Sequence, residues 1–138
     1  MNADIMRSAL RFVHALDKDD YETVRSMLAI DCRYHARTET LIGRNAITAS
    51  YRANSRLARR LFEQVEYSGA VIKVVRKNAH ILLSDHLRHR GKEHRYKCVQ
   101  IIHFGSGELI DSIRHKELPG QRDRLLRFCA GNGVKLSE

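Results

Sequence analysis

The order of hydrophobic patterns predicts an α+β fold in which helices pack into the concavity of a strongly bent, mixed but mostly antiparallel sheet. Three observations predict it. Helical periodicity marks three segments in the first 60 residues and returns after them only near the end of the chain. Between them lie long runs of β-branched and alternating residues, among them VIKVV and YKCVQIIHF. No helical stretch separates these runs, and a parallel crossover needs one, so consecutive strands must pair antiparallel. A sheet bent around the helices makes a cone with an interior cavity.

Each element has its own signal. In the first helix, residues 3–16, Ile5, Ala9, Phe12, Val13 and Leu16 form one stripe, with Asp4, Arg7 and Arg11 turned away. The acidic run 17–20 ends it and starts a second helix, where Asp19 and Glu22 have capping-box spacing. That helix carries Tyr21, Val24, Met27 and Leu28 inward. A strand over 32–37 and a short one over Thr40–Ile42 lead to a turn at Gly43. The third helix, 44–60, puts Ile47, Tyr51, Ala58 and Leu61 on one face. Strands over 62–76, 80–89 and 95–104 follow, with hairpin turns at Gly91 and at Gly105-Ser106-Gly107. A last strand, 109–118, precedes Pro119, which suits the first turn of a closing helix to residue 130, stopped by Gly131-Asn132-Gly133.

At 138 residues this is one domain, spanning 1–138, with ordinary hydrophobic content of 43%, so disorder is not expected. No apolar run reaches the ~20 residues that a membrane helix requires. The start of the chain lacks a charged-then-apolar secretory pattern, so a cytoplasmic location is expected. Cys32, Cys98 and Cys129 are odd in number and lack CxxC spacing, which argues for small buried residues over disulfides or zinc. Twenty-five Lys and Arg against sixteen acids give a net charge of +9, which favours encounter with anions without specifying one.

The segments FVHALDKDDYETVRSML, AIDCRYH, IGRNAI, IIHF and IDSIRHKELPG, in this order, resemble the nuclear transport factor 2-like superfamily over nearly the whole chain, residues 6–130. Within it the sequence looks most like SnoaL-like and ketosteroid-isomerase-like members. The resemblance implies a cystatin-like α+β cone, and a homodimer packed through the outer sheet face. It also tests one chemistry. The isomerases' oxyanion-holding Tyr, proton-carrying Asp and protonated Asp fall at Phe12, Ala36 and Ile102, none of which can donate to a dienolate or carry a proton. That mechanism is therefore disfavoured. A scytalone-dehydratase-like arrangement would draw on Asp17 with His86 or His89.

The last hairpin supplies the remaining candidates. If it closes through the two-residue turn Ser106-Gly107, Phe104 faces Leu109, Gln100 faces Ile113, Cys98 faces His115 and Tyr96 faces Glu117. With the face of Ile102 inward, as the isomerase alignment implies, Tyr96, Gln100, Asp111, His115 and Glu117 line the cavity alongside Tyr34. A histidine beside a carboxylate can transfer protons near neutral pH. A three-residue turn over 105–107 would instead send His115 to the face of Lys97 and His103, because a one-residue slip flips every side chain. His86, His89 and His94 read as an exposed polar hairpin and not as metal ligands, since residues three apart on a strand point to opposite faces. Asp85, unable to share the face of His86, is a pocket candidate. Tyr51 lies on the apolar face of the third helix, as core or as ligand contact. Arg52, Arg56, Arg59 and Arg60 make a basic stripe on the same helix.

These readings converge on a cone that binds a small hydrophobic or carbonyl-bearing molecule, with acid–base chemistry of isomerase, cyclase or dehydratase type as the activity it could support. Tyr34, Tyr51, Asp85, Tyr96 and Gln100 would contact the ligand, and His115 with Asp111 or Glu117 would move protons. No metal or organic cofactor, membrane or nucleic acid is expected. The competing reading is a non-catalytic association module offering its basic outer surface to an anionic partner.

Overall fold

The computed structural model describes residues 2–136; Met1, Ser137 and Glu138, part of the expected domain span, lie outside the described residues. The elements are α1 (Asn2–Asp17), α2 (Tyr21–Met27), β1 (Leu28–His35), β2 (Thr40–Ile42), α3 (Arg44–Leu61), β3 (Gln64–Val75), β4 (Asn78–His89), β5 (Lys92–Phe104), β6 (Ile110–Glu117) and α4 (Gln121–Gly131). The strands form one strongly curved sheet in the order β2-β1-β6-β5-β4-β3. Every neighbouring pair is antiparallel except β1 with β6. This is the mixed α+β cone that the sequence predicts.

The core follows from the predicted stripe of α1. Ala9, Phe12 and Val13 are fully buried against Ile81, Ile102, Phe104 and Ile113 of the sheet and Ile47 of α3. Close approach of α1 to β3 depends on Gly69, where an added Cβ would lie 2.4 Å from Val13 Cγ1. The vacant position also lets the Gly69 N–H donate to Asp17 Oδ2 at 3.0 Å, which fixes the last residue of α1 at the cavity wall. Among the described residues no helix is long and apolar enough to cross a membrane.

Several boundaries differ from expectation, each for a local reason. The cap of α2 is Asp20, not Asp19: Asp20 accepts from the Thr23 N–H at 3.2 Å and hydroxyl at 2.7 Å. Asp19 is freed to bind Tyr21, Ser55 and Arg59. β1 starts at Leu28 directly after α2, whose last turn closes through the Leu28 N–H to the Arg25 carbonyl. Pro119 lies before α4 and not in its first turn, because Gly120, in the left-handed region at φ 77°, makes the turn that launches the helix. The last hairpin uses neither expected turn. A 3₁₀ turn, Ser106–Glu108, closed by the Gly105 N–H to the Leu109 carbonyl at 2.8 Å, pairs Gln100 with His115 and Ile102 with Ile113. That register is two residues away from the one the two-residue turn would give. A displacement of two keeps each side chain on its face.

Candidate functional site

The concave layer can be read off the register. Asp85 of β4 pairs with Tyr67 of β3 and with Tyr96 of β5. Four residues further along, Gln100 of β5 pairs with His115 of β6. Both rows face the helices and line a cavity of about 560 Å³, open toward the loop after β1 and toward α4. Its apolar wall includes Leu57, Leu61, Phe62, Leu83 and Leu87.

Gln100 organises one end. Its side chain is 2% exposed and takes part in three hydrogen bonds. The Tyr51 hydroxyl donates to Oε1 at 2.6 Å, while Nε2 donates to the Tyr34 hydroxyl and to His115 Nδ1, each at 3.2 Å. Because Nδ1 accepts, the proton of the neutral imidazole resides on Nε2. Burial depresses the His115 pKa, with the Glu117 charge acting in the opposite sense, so the ring is neutral at pH 7. Burial raises Tyr34 and Tyr51 above the ordinary phenol range, which keeps both as hydrogen-bond donors. The rings support one another: Tyr34 meets Tyr51 edge-on at 5.9 Å and stacks on His115 at 6.3 Å. The amide thereby holds Tyr34 Oη–H and His115 Nε2–H as two donors without protein acceptors among the described residues.

Asp85 marks the other row. Its carboxylate has no hydrogen-bond partner among the described residues, and burial followed by the Asp17 charge pushes its pKa up to about 6. Four residues along a strand and two strands across put Asp85 roughly 16 Å from His115 measured over the sheet. They serve different parts of the cavity.

At the mouth, Glu117 bridges Arg37 at 3.6 Å and Arg122 at 3.5 Å. Below α3, Asp19 accepts from the Tyr21 hydroxyl at 2.7 Å, from Ser55 at 2.9 Å and from Arg59 Nε at 2.9 Å. The Tyr67 hydroxyl donates to the same Ser55 at 3.0 Å. This network ties β3, α3 and the loop before α2 together, and it depresses the Asp19 pKa against the opposing effect of burial.

The structure thus brings Tyr34, Tyr51, Asp85, Tyr96, Gln100, His115 and Glu117 to one cavity. It does not bring Asp111. The strand bulge between His103 and Phe104 takes Asp111 out of the alternating pattern, and its carboxylate meets His103 Nδ1 at 2.7 Å, away from the lining. Glu117 is present but engaged with arginines, so neither expected carboxylate hydrogen-bonds His115. His86 faces outward, 2.6 Å from Glu93. His89 and His94 are not an exposed hairpin pair. His94 stacks on Phe128 of α4, and His89 meets Phe62, the residue that follows α3, edge-on. The three cysteines are buried and free. On the basic stripe, Arg52 lies over the Tyr21 ring and Arg59 pairs with Asp19, so part of it stabilises the fold.

Sequence reasoning missed Tyr67 and gave Asp17 only a loose place. The acidic residue ending α1's apolar stripe was the available signal for Asp17, and the β3 alternation VEYSG was that for Tyr67.

No family model and no curated protein matches the sequence. Solved structures do. The chain is similar to an LEH-like epoxide hydrolase of M. tuberculosis, with a TM-score of 0.66 and 16% identity over 94% of this chain and 95% of that one. It is also similar to a de novo designed protein with a curved β-sheet, at 0.62 and 17% over 94% and 98%. A third similarity is to Rd1NTF2_04 with long sheet, at 0.56 and 15% over 79% and 96%. The fold is that of the nuclear transport factor 2-like superfamily.

Proposed function

We propose that the cone binds a small, largely apolar molecule carrying a carbonyl or comparable oxygen, with that oxygen on Tyr34 and His115. One observation carries this reading: the buried amide of Gln100 orients both groups so that their protons are left for an acceptor in the cavity. Two convergent donors in an apolar, half-closed site stabilise negative charge developing on an oxygen far better than water-exposed donors do. The chemistry this end supports is stabilisation of charge developing on an oxygen, as acid–base isomerases and lyases require, with Tyr34 and His115 donating hydrogen bonds to it. Neither Asp111 nor Glu117 supports His115 in that role, which separates this reading from a His–carboxylate pair. An epoxide belongs among the oxygen functions to test, because a structurally similar protein is an LEH-like epoxide hydrolase.

The test is equilibrium binding of a panel of small aromatic ketones and epoxides to the wild type and to Gln100→Leu. The expected result is saturable binding to the wild type, weakened at least tenfold in the variant. Equal binding to both folded proteins would refute the role of the amide.

A further inference from the structure

We propose that the molecule held in the cone is a cation, an amine or ammonium compound whose charged nitrogen lies against Asp85 between the rings of Tyr67 and Tyr96. This rests on the reading above and narrows it to a ligand with oxygen at one end and nitrogen at the other.

The first observation is a reversal of charge. The chain carries +9 overall, yet the cavity is lined by Asp17, Glu39, Asp85 and Glu117 against Arg37 and Arg122 alone. Those two arginines share Glu117 at the mouth, so no basic side chain among the lining residues faces Asp17 and Asp85. A protein with so large a positive excess repels free cations from its surface, and an interior of opposite sign therefore selects.

The second observation is the row Tyr67–Asp85–Tyr96. Direct cross-strand neighbours on one face place a carboxylate between two phenol rings, with Cβ atoms about 4.5–5.5 Å apart. All five tyrosines of the chain line this cavity. Two of these rings already hold cations of the protein itself: Arg59 lies 5.1 Å over Tyr67, within the proposed site, and Arg52 lies 5.4 Å over Tyr21. Tyr96 has no ring or cation contact among the described residues and stands beside Asp85. An unpartnered carboxylate with aromatic faces beside it is the chemistry that recognises ammonium groups. Asp17, anchored by the Gly69 N–H, adds a second negative charge close enough to perturb Asp85. An empty site with these groups is costly to ionise, and a bound cation removes that cost.

The experiment compares 4-(aminomethyl)acetophenone with its neutral isostere 4-ethylacetophenone by calorimetry at pH 7.5. The para arrangement sets oxygen and nitrogen at opposite ends of one ring. Expected is at least tenfold tighter binding of the ammonium ketone, a preference erased in Asp85→Asn and reduced in Tyr96→Leu. Equal affinity of the two ketones for the wild type would overturn the cation proposal and leave the oxygen site standing. Retention of the preference in Asp85→Asn would also overturn it. Failure of both ketones to bind the folded protein would remove the oxygen site and the cation proposal together.

Discussion

Single side chains show what the cavity costs the fold. Asp85 holds its proton more tightly in the folded protein, at about 6, than at the ordinary 3.8. Stability from this group is therefore complete below the unfolded value and falls as pH rises through the folded one. Asp85→Asn is expected to be more stable than the wild type at pH 7.5, by no more than about 3 kcal/mol, with the gap closing toward pH 4. Urea unfolding at the two pH values measures this, and a gap independent of pH would contradict it. Gln100 has the opposite sign. Replacing it by Leu strands the buried Tyr51 hydroxyl, so a loss of about 1–3 kcal/mol is expected in the same assay. At this scale the sequence was partly legible. Alternation on β5 placed Tyr96 and Gln100 together, and parity alone carried His115 to their face despite a register displaced by two. Asp111 was illegible, because a bulge breaks parity and nothing in the residues around Gly105 announces one.

Elements show where close packing controls the site. The α1 stripe, the strand alternation and the turn glycines were all readable, since each is a local period or a local backbone demand. The crossing of α1 over β3 was not, because it depends on which glycine meets which helix residue. Gly69→Ala would press a methyl group onto Val13, and a destabilisation of about 1–3 kcal/mol is expected. Val13→Ala combined with it should recover part of that loss, a coupling measurable by a double-mutant cycle. Simple additivity would mean that the two residues do not meet. The hairpin histidines were misread for a similar reason: the strands alone leave them exposed, and only the docked α4 stacks Phe128 on His94.

For the whole molecule, the cone was predictable because element order and strand connectivity leave few ways to bury the helices. The partner of its outer face is not written in the fold. Exposed Ile72 and Val75 of β3 lie on the same sheet as the partly buried Leu82, Val99 and Ile101. The homodimer expected from the resemblance would use the convex side of β4 and β5. Light scattering should give twice the chain mass, and Val99→Arg with Ile101→Glu should halve it; a monomeric wild type would contradict the expectation. Whatever its oligomeric state, the molecule has an interior with two distinct ends, the hydrogen-bonded cluster of Tyr34, Tyr51 and His115 around Gln100 and the carboxylate of Asp85 between Tyr67 and Tyr96 on the sheet. The most direct test is a titration of the isotopically labelled protein with 4-ethylacetophenone, followed by amide and side-chain shifts. Saturable changes are expected in the Gln100 side-chain amide, in His115 and in the backbone around Tyr34. Changes confined to the outer helix and sheet faces, or none, would contradict this.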